Sequence, residues 1–105
     1  MPEVRFRIRW PDGAVEECYS PSSIVTEYLA SGADYTVADF MDRARSALHQ
    51  ASRRVEQIYG RPCGLALGQI AQLENHYKSA GFPDTAIMSC LDMTPPSLQL
   101  KRTNP

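Results

Sequence analysis

Three arginines alternate with apolar residues near the start of the chain. Arg5, Arg7 and Arg9 occupy every second position, so an extended strand presents their guanidinium groups on one face, about 6.6 to 6.8 Å apart. Guanidinium groups bind carboxylates and phosphates through paired hydrogen bonds. We therefore predict that this face, together with Tyr19 on the neighbouring predicted strand, binds an anion or docks another protein.

Cys63 is a second candidate for chemistry. It follows Arg61 and Pro62 at the predicted start of a helix, where free N–H groups and the helix dipole favour a thiolate. Cys18, at the end of the second predicted strand, is a candidate neighbour for it. No histidine lies near Cys63 in the sequence to act as a base, so a partly buried structural cysteine is the favoured alternative.

Metal and cofactor sites are not expected. His49 and His76 lie within predicted helices and have no ligand residues at a spacing typical of metal sites. Glu16 and Glu17 fall on the return strand of a predicted hairpin, where we expect them to neutralise part of the arginine charge. The sequence therefore predicts no catalytic residues, no metal ion and no cofactor.

The composition limits the classes of partner and compartment. The net charge is −1, from 11 Lys and Arg against 12 Asp and Glu, which does not favour nucleic acid as a partner. The three cysteines are far apart and odd in number, as in a protein that keeps its thiols reduced. No apolar run suits a signal segment or a membrane span. We expect a cytoplasmic protein with no membrane partner.

The local patterns predict one α+β domain. Alternation over residues 4–10 and 14–19, on either side of Pro11-Asp12-Gly13, predicts an antiparallel hairpin. Helical spacing and end signals predict a short helix that starts within residues 20–23, a long helix from Thr36 to Gly60, and another from Cys63 or Gly64 to Gly81. Residues 86–91 predict a late third strand that extends the hairpin. The domain is expected to span residues 1–93, and residues 94–105 are expected to form a flexible tail.

The apolar positions of these elements predict the core. We expect the even-numbered side chains of the first strand to pack against the two longer helices. The expected core residues are Val4, Phe6, Ile8, Trp10, Phe40, Leu48, Val55, Ile70 and Leu73.

Several segments together resemble a known family. They are residues 5–13 (RFRIRWPDG), 18–22 (CYSPS), 59–63 (YGRPC) and 66–69 (ALGQ). Their joint occurrence resembles a small bacterial nitrogen-starvation response protein family. The resemblance implies a role in a nitrogen-linked pathway. It also implies partners encoded in the same gene cluster: a nitrilase-like hydrolase, a radical S-adenosylmethionine protein, an acetyltransferase-like protein and a glycosyltransferase. It implies no catalytic residue.

Three functions follow as hypotheses. The leading one is a non-enzymatic accessory or interaction protein, self-associating through an exposed sheet edge or helix face. The second is a small thiol-dependent enzyme or carrier that uses Cys63, with Cys18 as a neighbour, and holds an anionic substrate on the arginine face. The third is a nucleic-acid binder of the β-ribbon type.

Overall fold

A computed structural model describes residues 3–94 of the chain. The elements in chain order are β1 (Val4–Arg9), β2 (Val15–Ser20), a 3₁₀ helix (Ser23–Glu27), β3 (Asp34–Thr36), α1 (Val37–Tyr59), α2 (Gly64–Ala80) and β4 (Ile87–Thr94). This order confirms the predicted α+β class, the N-terminal hairpin, the late strand and the two longer helices. The predicted short helix is a single 3₁₀ segment.

The strands form one antiparallel sheet in the order β2-β1-β4-β3. The turn between β1 and β2 is closed by Trp10, whose N–H donates to the Ala14 carbonyl at 2.8 Å. Gly13 adopts φ 92° there, a conformation that favours glycine. The late strand extends the hairpin, as predicted; it does so by pairing with β1, which becomes an inner strand. The sequence patterns did not predict β3, which is three residues long.

The core lies between one face of the sheet and α1. Val4, Phe6 and Ile8 are fully buried on the inner face of β1. Thr36 begins α1, since its Oγ1 accepts from the Asp39 N–H at 3.2 Å. The buried residues of the core cluster on α1 are Val37, Phe40, Met41, Ala44, Ala47 and Leu48. Of the predicted core residues, Val55 and Ile70 are only partly buried.

A β-bulge changes the phase of β4. Ile8 pairs with Cys90 and Arg7 pairs with Asp92, so Leu91 is an extra residue between the two pairs. As a result Cys90 and Met93 are both buried, although residues three apart face opposite sides of a regular strand.

The last described residue, Thr94, belongs to the sheet. It is the end of β4, pairs with Arg5, and donates from Oγ1 to the Arg5 carbonyl at 3.3 Å. Thr94 is the first residue of the predicted tail, and the structure places it in a strand. The rest of that prediction, residues 95–105, lies outside the described residues. Within residues 3–94, no helix has the length and apolar character needed to cross a membrane.

Candidate functional site

Tyr19 lies between two surface grooves. We call the first the Arg5 groove; it has a volume of about 480 Å³. Its lining consists of Glu3, Arg5, Tyr19, Gly64, Leu65, Gly68, Gln69 and Gln72. We call the second the Tyr59 groove; it measures about 230 Å³. It is lined by Tyr19, Pro21, Val55, Tyr59 and Cys63. The two grooves thus share Tyr19.

Arg5 and Tyr19 are cross-strand partners on the outer face of the sheet. The Arg5 guanidinium carbon lies 5.7 Å from the centre of the Tyr19 ring, a cation–π distance. Burial, followed by the charges of Glu3 and Cys63, raises the pKa of the Tyr19 phenol, and Arg5 opposes this. Tyr19 therefore stays a neutral hydrogen-bonding group at neutral pH and holds Arg5 at the rim of the Arg5 groove.

Helix α2 covers the free edge of β2 at Tyr19. The backbone N–H of Tyr19 donates to Oε1 of Gln69 at 2.9 Å. Gln69 exposes only 7 % of its surface, and its Nε2 is buried without a hydrogen-bond partner among residues 3–94. Buried amide donors are nearly always paired in folded proteins. This amide group therefore marks a position where an acceptor is missing.

Cys63 directly precedes α2, but its side chain does not cap the helix. The residue is the N-cap, and its side chain makes no capping hydrogen bond. Its backbone N–H donates to Oγ of Ser52 at 3.2 Å, which fixes the start of α2 to α1. The first backbone N–H groups of a helix have no acceptor within the helix. Gly64 and Leu65, the first two residues of α2, line the Arg5 groove.

The other arginines do not join this site. The Nε of Arg7 donates to Oδ2 of Asp92 at 3.1 Å, and the two side chains form an ion pair on the outer face. The hydrogen bond and charge of Arg7 lower the pKa of the Asp92 carboxyl. Arg9 is exposed and forms no ion pair within the described part of the chain.

Cys18 lies on the opposite face from Arg5 and Tyr19. Its side chain belongs to the core and is 1 % exposed, and burial strongly raises the pKa of its thiol. Cys63, by contrast, faces the Tyr59 groove. Of the six residues predicted as a site, the structure brings together Arg5, Tyr19 and Cys63 around the two grooves.

The expectation that both glutamates of β2 face the arginines is wrong for Glu16. Glu16 pairs with Ile8 and points inward, where Oε1 accepts from Nε1 of Trp10 at 2.8 Å. The same oxygen lies 3.0 Å from Nδ1 of His76, and Oε2 accepts from Nε2 of Gln72 at 3.0 Å. Glu17 is the cross-strand partner of Arg7.

Sequence reasoning did not find the α2 side of the site. Gln69 and Gln72 lie on α2, and they reach β2 only because the helix packs along that strand. A glutamine on a helix carries no signal of such a contact. Glu3 precedes the predicted strand and gave no pattern either.

Comparison with known protein families shows to which family the chain belongs. A model of the nitrogen starvation-induced protein NitG family matches residues 5–93. The chain belongs to this family. The match includes all of α1 and α2 and most of β1 and β4, and so extends beyond the segments that carry the resemblance in the sequence. No curated protein and no solved structure matched the chain. Within residues 3–94, no group of three or more His, Cys, Asp or Glu side chains is placed to hold a metal ion.

Proposed function

We propose that the chain is a non-enzymatic accessory protein of the nitrogen-starvation response that acts by binding other protein molecules, first of all a second copy of itself. One observation carries the proposal: the region where α1 ends and α2 begins exposes four large apolar side chains. We call it the corner surface. It consists of Ile58, Tyr59, Leu65 and Leu67, which are 58 %, 71 %, 68 % and 40 % exposed.

The corner surface has the composition of an interface. Large apolar side chains that are exposed together mark binding surfaces more often than singly exposed ones do. Tyr59 also lines the Tyr59 groove beside Val55 and Tyr19, and tyrosine is enriched among residues that contribute most to binding. A partner side chain that enters this groove would contact two tyrosine rings and an aliphatic side chain.

The two other functions have weaker support. A thiol-dependent enzyme needs a base near Cys63, and neither histidine belongs to the lining of the Arg5 groove or the Tyr59 groove. A nucleic-acid binder needs several free cations along one face, and Arg7, the middle residue of the arginine row, is paired with Asp92.

Sedimentation velocity from micromolar to millimolar concentration tests the proposal. We expect reversible dimerisation of the wild type that Tyr59→Ser weakens. Val15→Ser is the matched control, because Val15 is 50 % exposed on β2, outside the corner surface, and it should leave dimerisation unchanged. Equal dimerisation of wild type and Tyr59→Ser would show that the corner surface is not the interface.

Co-expression tests the wider partnership. A tagged chain is produced together with the nitrilase-like hydrolase or the radical S-adenosylmethionine protein that the family resemblance implies. We expect at least one of them to co-purify with the wild type and with Val15→Ser. A chain that stays monomeric at every concentration and retains neither protein would overturn the proposed function.

A further inference from the structure

We infer that the Arg5 groove is a binding site for a carboxylate ligand, held by the guanidinium of Arg5, the side-chain amide of Gln69 and the N-terminus of α2. This goes beyond the proposed function, because it assigns ligand binding to the side chains of Arg5 and Gln69 and to backbone N–H groups of α2, whereas the corner surface uses the side chain of Leu65, which the two regions share. The two can therefore fail independently.

The first support is the unpaired donor. Oε1 of Gln69 is engaged by the Tyr19 N–H, which fixes the orientation of the amide group and leaves Nε2 as its unpaired donor. This nitrogen is buried and has no acceptor in residues 3–94, while Gln69 itself lines the groove. An oxygen atom of a ligand in the groove supplies the acceptor that the fold lacks.

The second support is the local charge. Arg5 forms no ion pair with the described residues, and its guanidinium is positioned over Tyr19. The start of α2, at Gly64 and Leu65, lines the same groove. Its free N–H groups and the helix dipole favour a negative charge. Arg5, Gln69 and the helix start thus line one groove.

The third support is the floor of the groove. Gly64 and Gly68 are one helical turn apart, and both line the groove. A Cβ at either position would meet no atom within 4 Å, and neither residue has a positive φ. Since glycine inside a helix is less favourable than alanine, the fold itself gives no reason for Gly68. The absent side chains of the two glycines leave the groove open.

The groups that line the groove favour a carboxylate over a phosphate. One guanidinium and one amide match the single charge and the planar oxygens of a carboxylate. Glu3 also lines the groove, and its negative charge would repel a doubly charged phosphate more strongly. A carboxylate can belong to a small organic acid or to the C-terminus of a peptide. The groove offers the same chemistry to both.

Titration of the ¹⁵N-labelled full chain, followed by NMR, tests the inference with matched probes. N-acetyl-L-leucine and N-acetyl-L-leucinamide differ only in the ionised carboxylate. We expect the acid to shift the Gln69 side-chain signal and the Gly68 amide signal, with a Kd at least about tenfold lower than that of the amide. An acetylated tripeptide that ends in leucine separates the two sources. Tighter binding of the tripeptide indicates a peptide C-terminus, and equal binding indicates a small acid.

Variants locate the site. Arg5→Gln should weaken binding of N-acetyl-L-leucine by about tenfold or more, and Gly68→Leu should abolish it by filling the groove. Glu3→Gln should tighten it. Arg9→Gln is the control, since Arg9 lies on the same strand face outside the groove. Circular dichroism checks that each variant folds.

Four results would overturn the inference. They are equal affinity for the acid and its amide, binding of inorganic phosphate as tight as that of the acid, equal loss in Arg5→Gln and Arg9→Gln, and no signal shift with any probe. None of these results bears on dimerisation through the corner surface.

Discussion

The carboxylate of Glu16 on β2 and the imidazole of His76 on α2 lie 3.0 Å apart between Oε1 and Nδ1, although 60 residues separate them in the chain. The same oxygen of Glu16 accepts from the indole N–H of Trp10. The rings of His76 and Trp10 are in contact, with centroids 4.5 Å apart. One carboxylate therefore connects the first hairpin to α2 and holds the buried tryptophan.

Removing this carboxylate should destabilise the fold. Glu16→Ala leaves the Trp10 indole N–H buried without an acceptor, and we expect the free energy of unfolding to fall by about 1–3 kcal/mol. Urea unfolding followed by circular dichroism measures it. Glu17→Ala is the control, since Glu17 is the next residue and is exposed; a loss as large as that of Glu16→Ala would contradict the role of the inward carboxylate.

The three cysteines should differ in reactivity. Cys18 and Cys90 are buried, whereas Cys63 is partly exposed, and thiol reagents react with accessible thiolates. A disulfide reagent at neutral pH should therefore modify Cys63 rapidly in the native protein and the other two only after unfolding. The fast phase should be absent in Cys63→Ser. A fast phase that remains in this variant would show that a core cysteine is accessible.

Alkaline pH should destabilise the protein through Cys90. Burial and the charge of Asp92 raise the pKa of the Cys90 thiol from 9.0 to about 11. The unfolded chain therefore loses this proton at lower pH than the folded chain does. The stabilisation is complete below pH 9.0 and is lost as the pH rises towards 11.

Urea unfolding at a series of pH values measures this effect. In Cys90→Ala the fall in the free energy of unfolding should be less steep over the same interval, and the remaining slope belongs to groups such as Cys18, whose pKa is also raised by burial. An unchanged slope would mean that the Cys90 thiol ionises equally in both states.

Acid should weaken the contact between the helices. Nε of Arg45 on α1 donates to Oε2 of Glu74 on α2 at 2.5 Å, and this hydrogen bond lowers the pKa of the Glu74 carboxyl below 4.5. Stability from the pair is present above pH 4.5 and is lost as the pH falls through the lowered value. Glu74→Gln and Arg45→Gln should each remove the same part of the fall in the free energy of unfolding at acidic pH. The double variant should remove no more than either.

The cap of α1 should be measurable separately. Thr36→Ala removes the acceptor of the Asp39 N–H, and we expect a loss of about 1 kcal/mol in the free energy of unfolding. Thr85→Ala changes an exposed threonine outside the helices and strands and should have little effect. Similar losses of the free energy of unfolding in the two variants would show that the cap does not account for the effect of Thr36→Ala.

Elements with local signals could be predicted from the sequence. The turn at Gly13, the cap at Thr36 and the left-handed ends of the helices at Gly60 and Gly81 depend on neighbouring residues only. The inward direction of Glu16 was also readable, because Glu16 and Cys18 share one side of β2 and Cys18 is apolar. We expected instead that an acidic residue opposite an arginine strand would face the arginines.

Long-range partners could not be predicted in the same way. Arg7 and Asp92 are 85 residues apart, and their pairing depends on a bulge that no local pattern indicates. The contact of Gln69 with Tyr19 depends on where α2 packs, 50 residues further along the chain. The sequence patterns therefore pointed to Arg5 and Tyr19 on the strands and to Cys63 at the start of α2, and not to Gln69 within α2.

The extra residue Leu91 divides β4 into two parts with different registers. Residues before it pair with β3 and with the end of β1, and residues after it pair with the beginning of β1. Without the bulge, β4 would alternate strictly through Leu91, and Met93 would turn towards solvent and Asp92 towards the core. The bulge at this single position therefore decides which side of the sheet carries the charge that neutralises Arg7.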